Sequence, residues 1–189
     1  MEFWETITNR HSIRDFRPEP VERATIERLI EAARRAPSAM NEQPWRFTVL
    51  QGASRARLGS VIAQSTVHLS EYMDVLGPDR YEAAMQWYSS LGDAPVLVVV
   101  SAPRSDSEFG AMNRYLSVGA AIENLMLAAC DAELGACNIT FSFWVRGEIA
   151  DLVALPETDE VLSIIALGHP SEIPPVIPPR TPADTTWLD

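Results

Sequence analysis

Apolar residues recur at two different spacings along the chain, and each spacing predicts its own kind of element. Spacings of three and four residues predict helices over 2–9, 18–38, 54–91 (two or three helices with a turn at 77–79), 112–134 and 146–155. Short apolar runs predict strands over 46–52, 95–102, 136–143 and 161–170, with a loop over 105–110. Strands therefore alternate with helices. This order favours a sheet covered on both faces and, taken alone, a parallel sheet.

The predicted helix over 112–134 is apolar on nearly every side, which is typical of a buried helix. A domain of this size rarely buries all sides of so long a helix by itself. The pattern therefore indicates that a second subunit buries part of this helix. The proline-rich tail over 171–189 is predicted to be an extended arm. We find no repeat or low-complexity linker, and the sequence predicts a single domain over 1–189.

The composition and charge of the chain exclude or disfavour several classes of function. The net charge is −11, and all 15 basic residues are arginine. The missing lysines exclude a P-loop and Schiff-base chemistry, and the acidic balance disfavours nucleic acid and anionic membranes as partners. No apolar run is long enough to span a membrane. The first residues lack a signal-peptide pattern, and two cysteines make no disulfide framework. These features predict a cytoplasmic protein.

Two polar stretches are candidates for chemistry. "RHSIRDF" places Arg10, His11, Ser12 and Arg14 together, either as a cradle for a phosphate or as a solvated turn. "RAPSAMNEQPWRF" carries Ser38, Asn41 and Gln43, whose groups can hydrogen-bond the mixed edge of a heterocycle such as a flavin; the alternative is a capped helix end. The scattered histidines and cysteines predict no metal site. Several aromatic residues could line a substrate pocket or pack in the core: Tyr72, Tyr81, Trp87, Tyr88 and Phe109.

The order of these motifs resembles the nitroreductase-like FMN-dependent flavoproteins. An R-x-S-x-R stretch follows a first short helix, and "APSxxNxQPW" comes about two dozen residues later. "GAAIENLMLAACDAELG", "ACNIT" and "IIALGHPSEIPP" extend the resemblance over nearly the whole chain. The resemblance implies an α+β fold with a mostly antiparallel central sheet flanked by helices. It also implies an intertwined homodimer, with the long helix at the interface, the tail around the partner, and FMN bound between the chains.

The resemblance also implies site residues. Arg10, His11 and Ser12 match residues that hold the FMN phosphate and ribityl chain, and Arg14 matches a cation near the flavin N1/O2 edge. A segment that reaches the partner's flavin is matched by Pro37, Ser38, Ala39 and Asn41, and it is flanked by Arg35 and Gln43. Arg180 matches an arginine of the tail that closes on the phosphate.

One segment departs from the family pattern. A Pro-Ile-Gly-Gly-like turn usually offers a backbone N–H to flavin N5, whereas this chain has Asn138, Ile139, Thr140 and Phe141. The N–H of Thr140 or Phe141 could still serve, since a backbone donor does not depend on its side chain. Phe141 in place of glycine could reshape the site.

The expected activity is an FMN-dependent oxidoreduction. Hydride would pass from NADH or NADPH through the flavin to an electron-poor small molecule such as a nitroaromatic, a quinone or an enone. No protein acid or base is required, and residues 68–91 with Phe109 are the candidate cover over the substrate. Two alternatives stay open at this point: an FMN-binding protein without turnover, and a relative that dehalogenates substrates or fragments flavin.

Overall fold

A four-stranded antiparallel sheet forms the centre of the molecule. The computed structural model describes residues 1–171, 181 and 185–188. Its strands are β1 (Arg46–Gln51), β2 (Val96–Pro103), β3 (Gly135–Ile139) and β4 (Asp159–Gly168), in the spatial order β1-β2-β4-β3. Every neighbouring pair runs antiparallel. The mostly antiparallel sheet implied by the resemblance is therefore confirmed.

The parallel sheet favoured by strand–helix alternation is wrong, and the strand order shows why. A single long helix joins β2 to β3, and these two strands do run in the same direction, as a crossover connection requires. However, β4 lies between them and pairs with both in the opposite direction. The helices that join β1 to β2 and β3 to β4 connect antiparallel neighbours, so alternation along the chain does not fix the direction of successive strands.

Seven α-helices flank the sheet in the part of the chain that the structure describes. They are α1 (Phe3–Asn9), α2 (Arg23–Arg34), α3 (Gly52–Ala63), α4 (Met73–Leu76), α5 (Pro78–Ser90), α6 (Glu108–Asp131) and α7 (Arg146–Leu152). Short 3-10 helices occupy Ala39–Asn41, Gln64–Tyr72, Leu91–Asp93 and Phe141–Val145.

Two predicted boundaries differ from the structure. Helix α6 begins inside the predicted 105–110 loop, because the Ser107 hydroxyl accepts a hydrogen bond from the Gly110 N–H and caps the helix there. The strand predicted over 136–143 ends at Ile139. The chain then turns into the 3-10 helix Phe141–Val145, with the Ser142 hydroxyl donating back to the Ile139 carbonyl at 3.2 Å.

The core lies on both faces of the sheet. Val96, Val98 and Val100 of β2 pack with α2 and α6 on one face, whereas Leu97 and Val99 pack with α3 and α7 on the other. All five are essentially inaccessible to solvent. A strand buried on both faces needs a continuous apolar run rather than an alternating one, which is what the valine-rich sequence provides.

The stretch of residues 10–17 is attached to the far end of the chain by backbone hydrogen bonds. The Ile13 N–H donates to the Ala136 carbonyl at 3.1 Å, and the Arg17 N–H donates to the His169 carbonyl at 2.8 Å. Ile13 also packs against Gly135, the first residue of β3. These contacts hold the N-terminal arginines along the edge strand β3 and the end of β4.

We expect Gly135→Ala to lower the free energy of unfolding by about 1–3 kcal/mol. A Cβ atom at this position would lie 2.6 Å from Ile13 Cγ2 and 2.7 Å from Ile13 Cβ, so the N-terminal stretch must shift. Urea denaturation measures the loss. As a control, Gly147→Ala places its Cβ in open space within helix α7 and is expected to stabilise by about 0.5–1 kcal/mol. Equal effects of the two substitutions would contradict this account.

Candidate functional site

An open cleft with a volume of about 1090 Å³ lies beside the N-terminal arginine stretch. Three parts of the chain form its walls: residues 14–16, the helix α5 with the turn that follows it, and the last residues of β3. Helix α5 contributes a face at helical spacing: Arg80, Ala83, Ala84 and Trp87. The site is therefore enclosed between the sheet edge and residues of the segment predicted to cover a substrate.

Arg14 is held in the cleft by its backbone, which leaves its side chain for a ligand. The Trp87 indole N–H donates to the Arg14 carbonyl at 2.7 Å. Among the described residues, the Arg14 guanidinium makes no hydrogen bond or ion pair. Its positive charge nevertheless acts on the wall of the cleft, because it lowers the pKa of Tyr88 and of Cys137 against the raising effect of their burial.

A left-handed turn packs against the backbone of Arg14. Leu91, Gly92 and Asp93 have φ of 55°, 59° and 58°, a conformation that few L-residues adopt. The Gly92 carbonyl accepts from the Phe16 N–H at 2.9 Å. From α3, Arg55 clamps the two ends of this turn, donating to the Ser90 carbonyl at 2.7 Å and to the Ala94 carbonyl at 2.6 Å.

Aromatic rings form part of the cleft wall beside Arg14. Trp87 and Tyr88 contact each other edge to face, with ring centroids 4.9 Å apart. Phe141 lies 5.1 Å from Tyr88 and 5.8 Å from Tyr72. Of the aromatic residues predicted as a possible pocket, Trp87 and Tyr88 line the cleft and Tyr72 supports it through Phe141. Phe109 lies elsewhere, exposed at the start of α6.

Burial raises the pKa of Tyr88 to about 12, whereas an unfolded tyrosine ionises near pH 10. The folded state therefore retains this proton longer than the unfolded state. The stabilisation is fully present below about pH 10 and is lost as the pH rises towards about 12. We expect the free energy of unfolding, measured by urea denaturation, to decline over this range less steeply in Tyr88→Phe than in the wild type. Identical profiles would show that Tyr88 ionises alike in both states.

Arg10, His11 and Ser12 follow α1 on the same edge of the sheet. Arg10 Nε lies 2.8 Å from Glu123 Oε1 of α6, so one edge of its guanidinium is occupied by a carboxylate. His11 Nδ1 lies 2.7 Å from the Asn9 carbonyl, which can only accept, so the proton is assigned to Nδ1. The opposite ring nitrogen, His11 Nε2, is buried without a partner among the described residues. Ser12 forms a parallel bridge with Ala136.

The predicted segment from Arg35 to Gln43 lies apart from the cleft within this chain. Arg35 is exposed and pairs with Glu31 of its own helix at 2.6 Å. Ala39 N–H donates to the Ser117 hydroxyl of α6 at 3.2 Å. The other predicted residues follow an exposed, irregular path: Pro37, Ser38, Asn41 and Gln43, with the Ser38 hydroxyl accepting from the Gln43 N–H at 3.0 Å and left-handed φ at Asn41 and Gln43.

At the end of β3, Asn138 lines the cleft, whereas Thr140 is exposed and Phe141 packs against Tyr88. The predicted contact between flavin N5 and the backbone N–H of Thr140 or Phe141 stays a prediction. The Ser163 hydroxyl of β4 donates to Asn138 Oδ1, which leaves the amide N–H groups of Asn138 without a partner among the described residues. Asn138 was quoted in the sequence only as a departure from a motif, and Arg80 carried no signal, because neither spacing nor composition shows which helix face meets the cleft.

The remaining predictions concern metal sites, membrane spans, the cysteines and the tail. Residues 1–171, 181 and 185–188 hold no group of three or more potential metal ligands. Over the same residues, no helix is both long and apolar enough to cross a membrane. Cys137 is a buried free thiol, and burial raises its pKa, which disfavours the nucleophilic thiolate. Arg180 and most of the tail over 171–189 lie outside the described residues.

Known proteins with similar sequence and structure were compared with the chain. One relative is YfhC from Bacillus subtilis, which is provisionally named an NAD(P)H nitroreductase. It is 28% identical to this chain over 178 residues, which cover 93% of this chain and 88% of YfhC. The FMN and NADPH-dependent nitroreductase NfnB from Sphigopyxis sp. strain HMH shares the fold with a TM-score of 0.83 at 22% identity, covering 100% of both chains.

A second solved structure matches over the same extent. The BluB-like flavoprotein from Clostridium difficile 630 superimposes with a TM-score of 0.78 at 25% identity, again over 100% of both chains. The sequence model of the nitroreductase family matches residues 7–169, which include all four strands and the whole cleft except Ser171. The resemblance seen in the sequence motifs is thereby confirmed, and the chain belongs to the nitroreductase family.

Proposed function

We propose that this protein is an FMN-dependent oxidoreductase that uses NADH or NADPH to reduce an electron-poor small molecule such as a nitroaromatic, a quinone or an enone. Family membership supports the reaction class. The observation that carries the proposal for this chain is a cleft in which Arg14, without a side-chain partner among the described residues, lies beside aromatic residues. A cytoplasmic location stays a prediction.

The donor set in the structure fits a flavin mononucleotide. The phosphate would be held by Arg10, His11 and Ser12, and three observations support this. His11 Nε2 is buried without a described partner. Arg10 uses only its Nε in the pair with Glu123, so its terminal N–H groups stay available for a fork onto phosphate. The flavin ring would lie in the cleft near Arg14, where Asn138 offers a free amide.

FMN, when bound, would supply the hydride-transfer chemistry between the nicotinamide and the acceptor. The chain's own residues supply charge, orientation and cover. Arg14 places a positive charge where negative charge develops during reduction, and it needs no reorganisation because Trp87 and Gly92 fix its backbone. The rings of Trp87, Tyr88 and Phe141 exclude water from one side. Residues 68–91 are the proposed cover, since α5 already forms a wall of the cleft.

The visible absorption spectrum of the purified protein, recorded before and after anaerobic addition of NADH or NADPH, tests this function. Two flavin bands that disappear on addition of the nucleotide are the expected result. Bands that persist would mean a flavin-binding protein without this turnover. No bands, even after incubation with FMN, would contradict the assignment of the arginine stretch to phosphate.

We further propose that two copies of the chain form a homodimer through α6. Phe109, Met112, Leu116 and Gly119 fall on one face of this helix, and Leu116 is 68% exposed in the single chain. An exposed apolar stripe of this kind calls for a covering partner. The segment around Ala39 is bound to Ser117 on the same half of α6. A second copy seated on the stripe would therefore meet this segment, as the family resemblance implies.

Gly119→Arg is expected to turn the dimer into a monomer while the chain keeps its fold. An added Cβ at Gly119 has no atom of the described residues within 4 Å, so the substitution has room at its root in the monomer. At the proposed interface, however, it would force a charged side chain against apolar residues. Light scattering reports the mass, and circular dichroism reports the fold. Gly147→Arg, at an equally open helical glycine away from α6, serves as the control and should stay dimeric. A dimeric Gly119→Arg would exclude this interface.

A further inference from the structure

Arg80 stands at the end of the cleft that is remote from Arg14. It belongs to the first turns of α5 and lines the same cleft as Trp87, which is seven residues further along this helix. Seven residues of helix span about 10 Å. Trp87 is the residue that donates to the Arg14 carbonyl. Arg80 therefore lies about two helical turns from the point where α5 meets the Arg14 backbone, with Ala83 and Ala84 on the cleft wall between them.

Arg80 is one of the few arginines that have no partner among the described residues. Among the fourteen arginines of the described residues, ten contact a carboxylate, a backbone carbonyl or an aromatic ring. The other four are Arg14, Arg28, Arg57 and Arg80, and two of these four line the cleft. In a chain with net charge −11, a cation in a cleft that forms no ion pair with a described residue is available to an anionic ligand.

The charges around the cleft are arranged unevenly. Its two lining carboxylates, Asp15 and Asp93, come from the segments next to Arg14 in the structure. Asp93 is also close enough to Arg55 to raise the pKa of that guanidinium against the effect of its burial. On helix α5, by contrast, Arg80 is the only charged residue of the cleft wall. The two acids of this helix, Asp79 and Glu82, do not line the cleft, so Arg80 is the charge that α5 presents to a ligand at the remote end.

We propose that Arg80 selects acceptors that carry a carboxylate on an aromatic ring. This inference rests on the proposed function, in which the ligand of the cleft is an electron acceptor. The ring would lie against the aromatic wall of Trp87 and Tyr88, its reducible group towards Arg14 and Asn138, and its carboxylate on Arg80. A planar guanidinium matches a carboxylate through two parallel N–H donors, so the pair sets orientation as well as affinity.

Binding and turnover of matched pairs test this selection. Calorimetry on the purified flavin-loaded protein gives Kd for benzoate and for its neutral isostere benzamide, and steady-state assays give kcat/KM for 4-nitrobenzoate and 4-nitrobenzamide. In Arg80→Gln we expect benzoate affinity and 4-nitrobenzoate kcat/KM to fall about ten- to hundredfold, the range for loss of a charged hydrogen bond. The neutral compounds should be unaffected. Arg80→Lys, which keeps the charge, should retain most of the preference.

Arg57→Gln is the matched control, since Arg57 is also exposed and without a described partner but lies on α3, away from the cleft. Three results would overturn the assignment: a wild type that does not prefer the anionic member, an equal loss for both members in Arg80→Gln, or the same loss in Arg57→Gln. A rise of KM in Arg80→Gln for NADPH but not for NADH would instead assign Arg80 to the 2′-phosphate of the nucleotide.

Failure of this inference is distinguishable from failure of the proposed function. If the wild type binds benzoate selectively but never oxidises NADH or NADPH with any acceptor, the oxidoreductase proposal fails and the anion site stands. If neutral nitroaromatic compounds are reduced while the carboxylate confers no advantage, the oxidoreductase proposal stands and the role of Arg80 is refuted.

Discussion

Gly92→Ala is expected to be the most destabilising single-methyl substitution among the described glycines, lowering the free energy of unfolding by about 3 kcal/mol. The added Cβ would lie 1.6 Å from the Arg14 carbonyl oxygen and 2.7 Å from its carbon, both backbone atoms that no rotamer change can move away. A left-handed φ of 59° adds about 1–2 kcal/mol for any residue with a Cβ, and overpacking adds about 1–3 kcal/mol.

The same substitution should displace the Arg14 backbone and weaken FMN binding, because Gly92 also accepts from the Phe16 N–H. Urea denaturation and an FMN titration measure the two effects. Gly52→Ala separates the causes: Gly52 has φ of 53°, close to that of Gly92, but nothing lies within 4 Å of its added Cβ. It should therefore show only the backbone part and bind FMN normally. A Gly92→Ala protein as stable as Gly52→Ala would mean that the Arg14 carbonyl moves freely.

Arg14→Gln is expected to lower kcat/KM for NADH- or NADPH-dependent reduction by about 10²–10³-fold, the cost of removing one preorganised stabiliser of developing charge. The side chain has no other described partner, so its loss should barely change the free energy of unfolding. The change should also make the reduction potential of the bound flavin more negative. Because Arg14 lowers the pKa of Tyr88, its removal should raise that pKa further, which gives a readout independent of turnover.

Arg28→Gln removes the same charge from an exposed arginine of α2 that lacks a described partner, and it should leave both the rate and the potential unchanged. Full activity in Arg14→Gln with FMN bound would show that the cleft works without this cation. Equal losses in the two variants would assign the effect to net charge rather than to position.

The elements of the fold were largely predictable because burial leaves a direct trace in sequence. Val96 to Val100 are buried on both faces and read as a continuous apolar run. The position of β4 between β2 and β3 was not predictable from alternation, since strand order depends on long-range pairing such as Ile165 with Val98. The start of α6 was missed for a local reason: Ser107 was taken as part of a polar loop, although serine is a preferred N-cap.

The site was predictable only where residues are contiguous. Arg10 to Arg14 form one stretch with a recognisable motif, and the structure places Arg14 in the cleft. Arg80 and Asn138 are distant from that stretch in sequence, and no local pattern marks them. The ion pair between Arg10 and Glu123 was equally invisible, because a glutamate on a long apolar helix has no sequence signature for the residue that it will meet.

The attachment of residues 10–17 to the end of the chain has a consequence for how the protein is made. Ile13, Arg17 and Asp15 are bonded to Ala136, His169 and Ser171, respectively. During synthesis residues 10–17 leave the ribosome more than a hundred residues before Ala136, His169 and Ser171, the partners that hold this stretch. The stretch proposed to bind phosphate therefore stays unplaced until β3 and β4 have been translated. Incorporation of the proposed cofactor then follows translation of these two strands rather than accompanying that of the arginines.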